Sequence, residues 1–352
     1  MNVLVYGAGA VGGYLGGRLA LAGRLVTLVT RPDTAAAINR DGLHLTESGE
    51  TRRALVRAVG SLSEALAGHV FDLIVLGMKG YDLPAAVEQL SVLCPEPPRV
   101  MSTQNGIGLE EIVATRFGVA HTLAGSVTIP ISRNGHSHLV VERAGRGLGL
   151  APVMPGQSVA EWVALFREAG INAGAREDYR AMKWSKAFLN IMGNATSAIL
   201  NRPPAELYRL QSIFDLEMRM LRETLGVMKR LGIEVINLPG ATARPLARSL
   251  AYAPSFLLRQ VFTQVIVHGR GDKMPSFHID LSSGKGRSEV AYHNGAIAAA
   301  GRRAFVPVPV NAALSDTLQS LCHDRSRRAW FDGRPDRLLA VVREFEQGKV
   351  YV

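Results

Sequence analysis

Two groups of residues in this chain have types and spacing suited to chemistry: Gly7-Ala8-Gly9-Ala10-Val11-Gly12, and Lys186 with Asn190 and Asn194. The glycines suit a phosphate. Gly7 permits a tight turn, Gly9 lets backbone N–H groups approach a pyrophosphate, and Gly12 lets a helix pack on a strand. The start of that helix, at Ala10 and Val11, adds partial positive charge. Gly7, Gly9, Ala10, Val11 and Gly12 are therefore the expected dinucleotide cradle. The lysine and the asparagines recur at steps of four, which places them on one face of a helix, one turn apart. Such a stripe can simply face solvent. Asn is a poor helix former, however. Two of them in line with a lysine, on a helix otherwise carrying Trp184, Phe188, Leu189, Ile191 and Met192, suggest a lined cleft.

The elements that must position the glycines are legible. Val3 to Tyr6 is apolar on both faces and reads as a buried parallel strand. A helix follows through Tyr14, Leu15, Leu19 and Leu21 and ends at Gly23, and Leu25 to Val29 is the second strand. Arg31 closes that unit. An acidic residue there would hold a ribose 2′-hydroxyl, whereas an arginine suits a 2′-phosphate. NADPH is therefore expected over NADH, although Asp33 close behind points the other way. Phe71 to Gly77 and Val100 to Thr103 are two further strands. Lys79 and Asn105 follow them, at the carboxyl ends where an open parallel sheet binds ligands. Plainer roles are a surface lysine and an Asn-Gly turn. Leu43 to Val59 is irregular with short strands, and Leu123 to Leu150 reads as antiparallel strands closing the sheet. His136 and His138 lie there as exposed positions with no third ligand, so no metal site is expected.

From Asp178, a plausible helix cap, the apolar period changes to about 3.6 and stays helical. The expected domains are residues 1–176, a Rossmann dinucleotide-binding domain, and residues 177–352, an all-helical domain. The fold class is thus α/β with a helical C-terminal half. Helices are expected over Tyr179–Leu200, over Glu206–Leu231 with Leu210, Ile213, Leu221, Leu225 and Met228 buried, and over Ser249–His268. Met218, Met220 and Met228 read as core. Pro275 to Leu281 and a glycine-rich loop precede Glu289, which falls in the first turn of a helix resuming at Ala291, as a cap.

The chain of 352 residues is 47% hydrophobic and 20% charged, as a soluble globular protein is. Its net charge of +10 is spread, mostly as Arg. The densest patch, Arg325, Arg327 and Arg328, reads as solvated surface rather than a nucleic-acid site. Cys94 and Cys322 are far apart and suit a reducing compartment, although one disulfide is not excluded. The apolar N-terminus lacks a basic leader region, and no apolar run is long enough for a membrane span. A cytoplasmic protein is expected. Its oligomeric state is not fixed, with a homodimer open.

In order and spacing, Gly7 to Gly13, Val29-Thr30-Arg31, Lys79, Gln104-Asn105-Gly106, Trp184-Ser185-Lys186 with Asn190 and Asn194, Ser276 to Asp280, and Glu289 with Asn294-Gly295 resemble the ketopantoate reductase (2-dehydropantoate 2-reductase) family. The resemblance spans roughly residues 1 to 315. It implies an active site in a cleft between a Rossmann and a helical domain, and NADPH-dependent reduction of a 2-oxo acid to a 2-hydroxy acid. It implies Lys186 as general acid, Glu289 on the substrate hydroxyl, Ser276 on its carboxylate, and Asn190 and Asn194 lining the site. Arg31 would take the 2′-phosphate, with Lys79 and Asn105 beside the nicotinamide. The sequence departs from the family pattern in Pro204, in Ser288-Glu289-Val290-Ala291, in the loop Ser282 to Gly286 and in the tail from Asp324. Two other readings stand beside this one. One is a reductase of a different 2-oxo or hydroxy acid on the same fold. The other is a non-catalytic NADPH-binding sensor with the basic tail on a partner.

Overall fold

The computed structural model describes residues 1–270 and 273–349. The chain divides into two compact units, Met1–Lys183 with Asn237–Ala241, and Trp184–Ile236 with Thr242–Val352. The division falls inside the helix Tyr179–Ile191, after Lys183, rather than ahead of it at residue 176. The last residue on the first unit's side of the division, Lys183, holds that unit's Gln104 and Gly125 carbonyls with its ammonium, as described below.

In the first unit, strands β1 (Asn2–Tyr6), β2 (Leu25–Val29), β3 (Leu43–Glu47), β4 (Glu50–Ala54), β5 (Arg57–Val59), β6 (Leu73–Leu76), β7 (Arg99–Ser102), β8 (Thr122–Val127), β9 (Ile131–Asn134), β10 (His138–Val141), β11 (Gly147–Pro152) and β12 (Asn172–Ala175) form two sheets. The larger runs β12-β11-β8-β7-β6-β1-β2-β5. It is parallel except between β8 and β11, where Gly149 faces Ser126. Its central strands are apolar on both faces because helices cover both. Val3, Leu4 and Val5 of β1 and all four residues of β6 are fully buried. The register Val3↔Val26 on one side and Val3↔Leu73 on the other brings the carboxyl ends of β2, β1, β6 and β7 to one edge.

The second sheet, β4-β3-β10-β9, is the main departure from the sequence reading. Only β8 and β11 of the stretch Leu123–Leu150 join the large sheet. β10 pairs instead with β3, as Leu139↔Leu45, and β9 pairs with β10. The helix Ala10–Leu21 lies between the two sheets. A Cβ on Gly16 would meet Leu28, Val5 and Val26, whereas one on Gly13 or Gly17 would meet Leu139 or Leu43 and Leu45. Glycines on two adjacent faces of the helix, about 100° apart, thus let both sheets approach it.

The second unit is helical. Gly193, with φ +62°, interrupts the expected helix over 179–200, giving Tyr179–Ile191 and Ala195–Leu200. The expected helix over 206–231 is Pro204–Leu207 followed by Gln211–Arg230. Ile213, Met218, Met220, Leu221 and Met228 are core, whereas Leu210, at the break, is 42% exposed and Leu225 half-buried. The helix expected over 249–268 is split at Ala253-Pro254 into Arg244–Tyr252 and Ser255–Arg270, as proline dictates for the residue before it. Glu289 opens a short 3₁₀ turn, Glu289–Tyr292, and the following helix starts only at Asn294. No described helix is long and apolar enough to cross a membrane.

Candidate active site

The glycine turn occupies the edge formed by β2, β1, β6 and β7. Gly7 has φ +95°, and a Cβ there would lie 2.5 Å from the Met78 nitrogen. A Cβ on Gly12 would strike the Gly7 carbonyl oxygen. Gly9 differs: its Cβ position touches only the Gly77 oxygen, at 3.8 Å, so this part of the turn is open to an incoming group. The helix Ala10–Leu21 has no side-chain cap and no acidic residue in its first turn. Its leading N–H groups and dipole therefore face outward unneutralised, which suits a pyrophosphate. These residues fit a dinucleotide. Ala in place of Gly12 is expected to weaken NADP⁺ binding about tenfold or more, since overpacking against backbone costs about 1–3 kcal/mol. Calorimetric titration checks this, and unchanged affinity would refute the cradle.

Arg31 follows β2 directly, as the exposed residue preceding the helix Pro32–Asp41. Lys79 follows β6 and starts a 3₁₀ turn, and Asn105 follows β7; both are half-buried. The structure thus brings the glycine turn, Arg31, Lys79 and Asn105 to the ends of four adjacent strands, where parallel sheets bind ligands.

Beneath Asn105 lies a polar cluster that sequence reading missed. Gln104 is buried, and its Nε2 donates to the Leu76 carbonyl at 2.8 Å. This ties the Asn105 turn to the end of β6. Lys183 Nζ donates to the Gln104 carbonyl at 2.6 Å and to the Gly125 carbonyl at 3.1 Å, and pairs with Glu110 Oε1 at 2.8 Å. Burial pushes the Glu110 carboxyl upward, and Lys183 pulls it back. A lysine between Met182 and Trp184 carries no sequence mark of this task.

The second unit gathers the other expected residues. Lys186 and Asn190 project from one face of the helix Tyr179–Ile191, both half-buried. Asn194 lies beyond the break, yet its Nδ2 still donates to the Asn190 carbonyl at 3.2 Å. Its Oδ1 accepts from the Phe277 N–H at 3.1 Å, and its Nδ2 lies 3.4 Å from Ser276 Oγ. Asn194 is 4% exposed, so its amide fastens the start of the helix Ser276–Ser282 rather than lining open space. The Phe277 ring meets His293 edge-on at 5.2 Å, and His293 Nδ1 lies 3.0 Å from the Glu289 carbonyl. Asn190, Asn194, Ser276 and Glu289 are thereby linked within one unit.

The break that places Asn194 rests on Glu217, another residue missed in the sequence. It is fully buried and accepts from the Gly193 N–H at 2.9 Å, from Thr196 Oγ1 at 2.6 Å and from the Tyr208 hydroxyl at 2.9 Å. The basic patch is also more than solvated surface. Arg325 donates to the Leu281 and Ser282 carbonyls at the end of the Ser276–Ser282 helix, and Arg328 to His278 Nε2 at 2.8 Å and Asn201 Oδ1 at 3.0 Å. Both cysteines are free thiols.

A parallel sheet with a glycine cradle, in a chain whose helical unit links Asn190, Asn194, Ser276 and the Glu289 backbone, fits the class of dinucleotide-dependent oxidoreductases. Within that class the chain belongs to the ketopantoate reductase PanE/ApbA family, whose model matches residues 3–148 and whose C-terminal model matches residues 178–321. A 2-dehydropantoate 2-reductase of Mesorhizobium japonicum is 30% identical over 264 residues, covering 66% of this chain and 79% of that one. The solved PanE/ApbA family ketopantoate reductase of Ralstonia eutropha is 27% identical with a TM-score of 0.78, over 93% of this chain and all of its own. A D-mandelate dehydrogenase solved with NADH and anilino(oxo)acetate shares the fold at 22% identity and a TM-score of 0.76, covering 92% of this chain and 99% of that one. The C-terminal family model ends at 321, so the segment bearing Arg325 and Arg328 lies beyond it.

Proposed function

We infer that this protein reduces 2-dehydropantoate to pantoate with NADPH. The observation that carries the reading is the linkage of Asn190, Asn194, Ser276 and Glu289 beside the Lys186 helix, in a chain of this family.

Bound NADPH supplies the hydride. The protein's residues do the rest. Negative charge builds on the ketone oxygen as the carbonyl carbon is reduced, and a proton must reach it. Lys186 is the proton donor in this reading, because an ammonium in a half-buried position offers both charge and a transferable proton. Ser276, exposed at the start of its helix, offers its hydroxyl to the substrate carboxylate. Glu289 takes the substrate hydroxyl, and Asn190 lines the site one turn from Lys186. Asn194 keeps Ser276 in place through the hydrogen bonds described. Arg31 takes the 2′-phosphate, and Lys79 and Asn105 stand beside the nicotinamide. The compartment proposed is the cytoplasm, consistent with two free thiols.

Steady-state oxidation of NADPH by the purified protein tests the reading against a panel of 2-dehydropantoate, pyruvate, 2-oxoisovalerate and phenylglyoxylate. The expected result is the highest kcat/KM on 2-dehydropantoate, with NADPH preferred over NADH. A higher kcat/KM on another panel member would replace the substrate. Cofactor binding without turnover of any of them would replace the enzyme with a sensor.

A further inference from the structure

Arg133 belongs to β9, far from the glycine turn in sequence, and the proposed function leaves it unassigned. Its Nη1–H donates to the Ala8 carbonyl at 3.3 Å, inside the glycine turn, and its Nη2–H to the His136 carbonyl at 2.6 Å. A guanidinium carries five N–H donors, so these two leave others to place. The Nε–H is buried with no acceptor among the described residues. The turn containing His136 is docked in its own right: His136 Nδ1 lies 3.1 Å from Thr34 Oγ1. Thr34 stands in the first turn of the helix that Arg31 precedes. A strand of the second sheet and the end of β2 therefore bring two arginines toward one spot beside the glycine turn.

Burial, and then the like charge of Arg31, hold the Arg133 guanidinium below its usual range. Two neighbouring cations, one of them half-buried, are an unfavourable arrangement by themselves. A dianion between them converts that repulsion into two charge-assisted attractions. The pyrophosphate has its own place at the N-terminus of the helix Ala10–Leu21. The group that reaches the end of β2 in a βαβ cradle is the ribose 2′ substituent.

We propose that Arg133 and Arg31 form a two-guanidinium clamp for the 2′-phosphate of NADPH, so that cofactor choice is made by the second sheet as well as by the end of β2. The proposal rests on the NADPH reading above.

Calorimetric titration of NADP⁺ and NAD⁺ into wild type, Arg133→Ala, Arg133→Lys and Arg31→Ala tests it. Loss of a charge-assisted phosphate contact is expected to weaken NADP⁺ about tenfold to a hundredfold in Arg133→Ala. NAD⁺ affinity should stay within about twofold, because NAD⁺ lacks the 2′-phosphate. Arg133→Lys, which keeps the charge and loses the planar fork, should fall between. Equal weakening of NADP⁺ and NAD⁺ would make Arg133 a brace of the glycine turn and overturn the clamp. So would an Arg133→Ala variant that keeps the wild-type preference for NADP⁺. A wild type that binds both cofactors equally overturns the NADPH reading, and the clamp with it.

Discussion

Lys186→Ala is expected to lower kcat on 2-dehydropantoate by about 10²- to 10⁴-fold, the usual effect of losing a general acid. NADP⁺ affinity should be unchanged. The expectation follows from position. Lys186 stands one helical turn from Asn190, whose carbonyl is bonded to the same asparagine that holds Ser276. In the proposed mechanism the group beside those residues serves the substrate, so its removal is expected to leave the developing charge on the ketone oxygen without a proton. Lys186→Arg sharpens the test. It keeps the charge, but a guanidinium does not release its proton in the working pH range. Substrate KM should then recover more than kcat. Full turnover of the alanine variant at saturating substrate would end the assignment.

Lys183→Met is expected to do something quite different: to lower the unfolding free energy by about 3–5 kcal/mol, because it breaks a buried ion pair from one side. The Lys183 side chain is 4% exposed and the Glu110 side chain 1%. Without the ammonium, Glu110 keeps, among the described residues, the Ser102 hydroxyl 2.9 Å away, and the Gln104 and Gly125 carbonyls lose a donor. Pairing the change with Glu110→Gln should recover a large part of the loss, since a neutral amide no longer needs the cation. Denaturant midpoints at constant slope measure both variants. A loss under about 1 kcal/mol in the single variant would place the pair among weak surface bridges. NADP⁺ binding should weaken alongside stability, because the Gln104 carbonyl lies immediately before Asn105.

These two lysines lie three residues apart on one helix, and nothing in their local sequence separates them. Only the spacing of Lys186 with Asn190 and Asn194 marks it out in the sequence. That spacing groups Asn190 with Asn194, which are hydrogen-bonded, but through a single helix face that does not exist. The stripe is not a face of one helix, because Gly193 breaks it, and Glu217 holds the break. Asn194 remains over Asn190 only because its side chain reaches back to the Asn190 carbonyl. Glu217 had no chance of being read from sequence. It sits in an amphipathic helix of ordinary composition, and its partners Gly193 and Thr196 lie about twenty residues earlier.

The sequence by itself determined what depends on local physics. The βαβ cradle follows from glycines at a turn and apolar runs on either side. Arg31 at the end of β2, Lys79 and Asn105 past their strands, and the change to a 3.6-residue period at Asp178 are all set within a few residues of chain. Only the tertiary structure decided what depends on distant pairing. β9 and β10 could join the large sheet or leave it, and their alternation is the same in either case. Pairing of β10 with β3, about ninety residues earlier, carried both to the other face of the helix Ala10–Leu21. That choice is also what brings Arg133 to the glycine turn. Burial, likewise, made Lys183 a structural cation and left Lys186 half-buried, since desolvation depends on what the fold packs around a side chain and not on its neighbours in sequence.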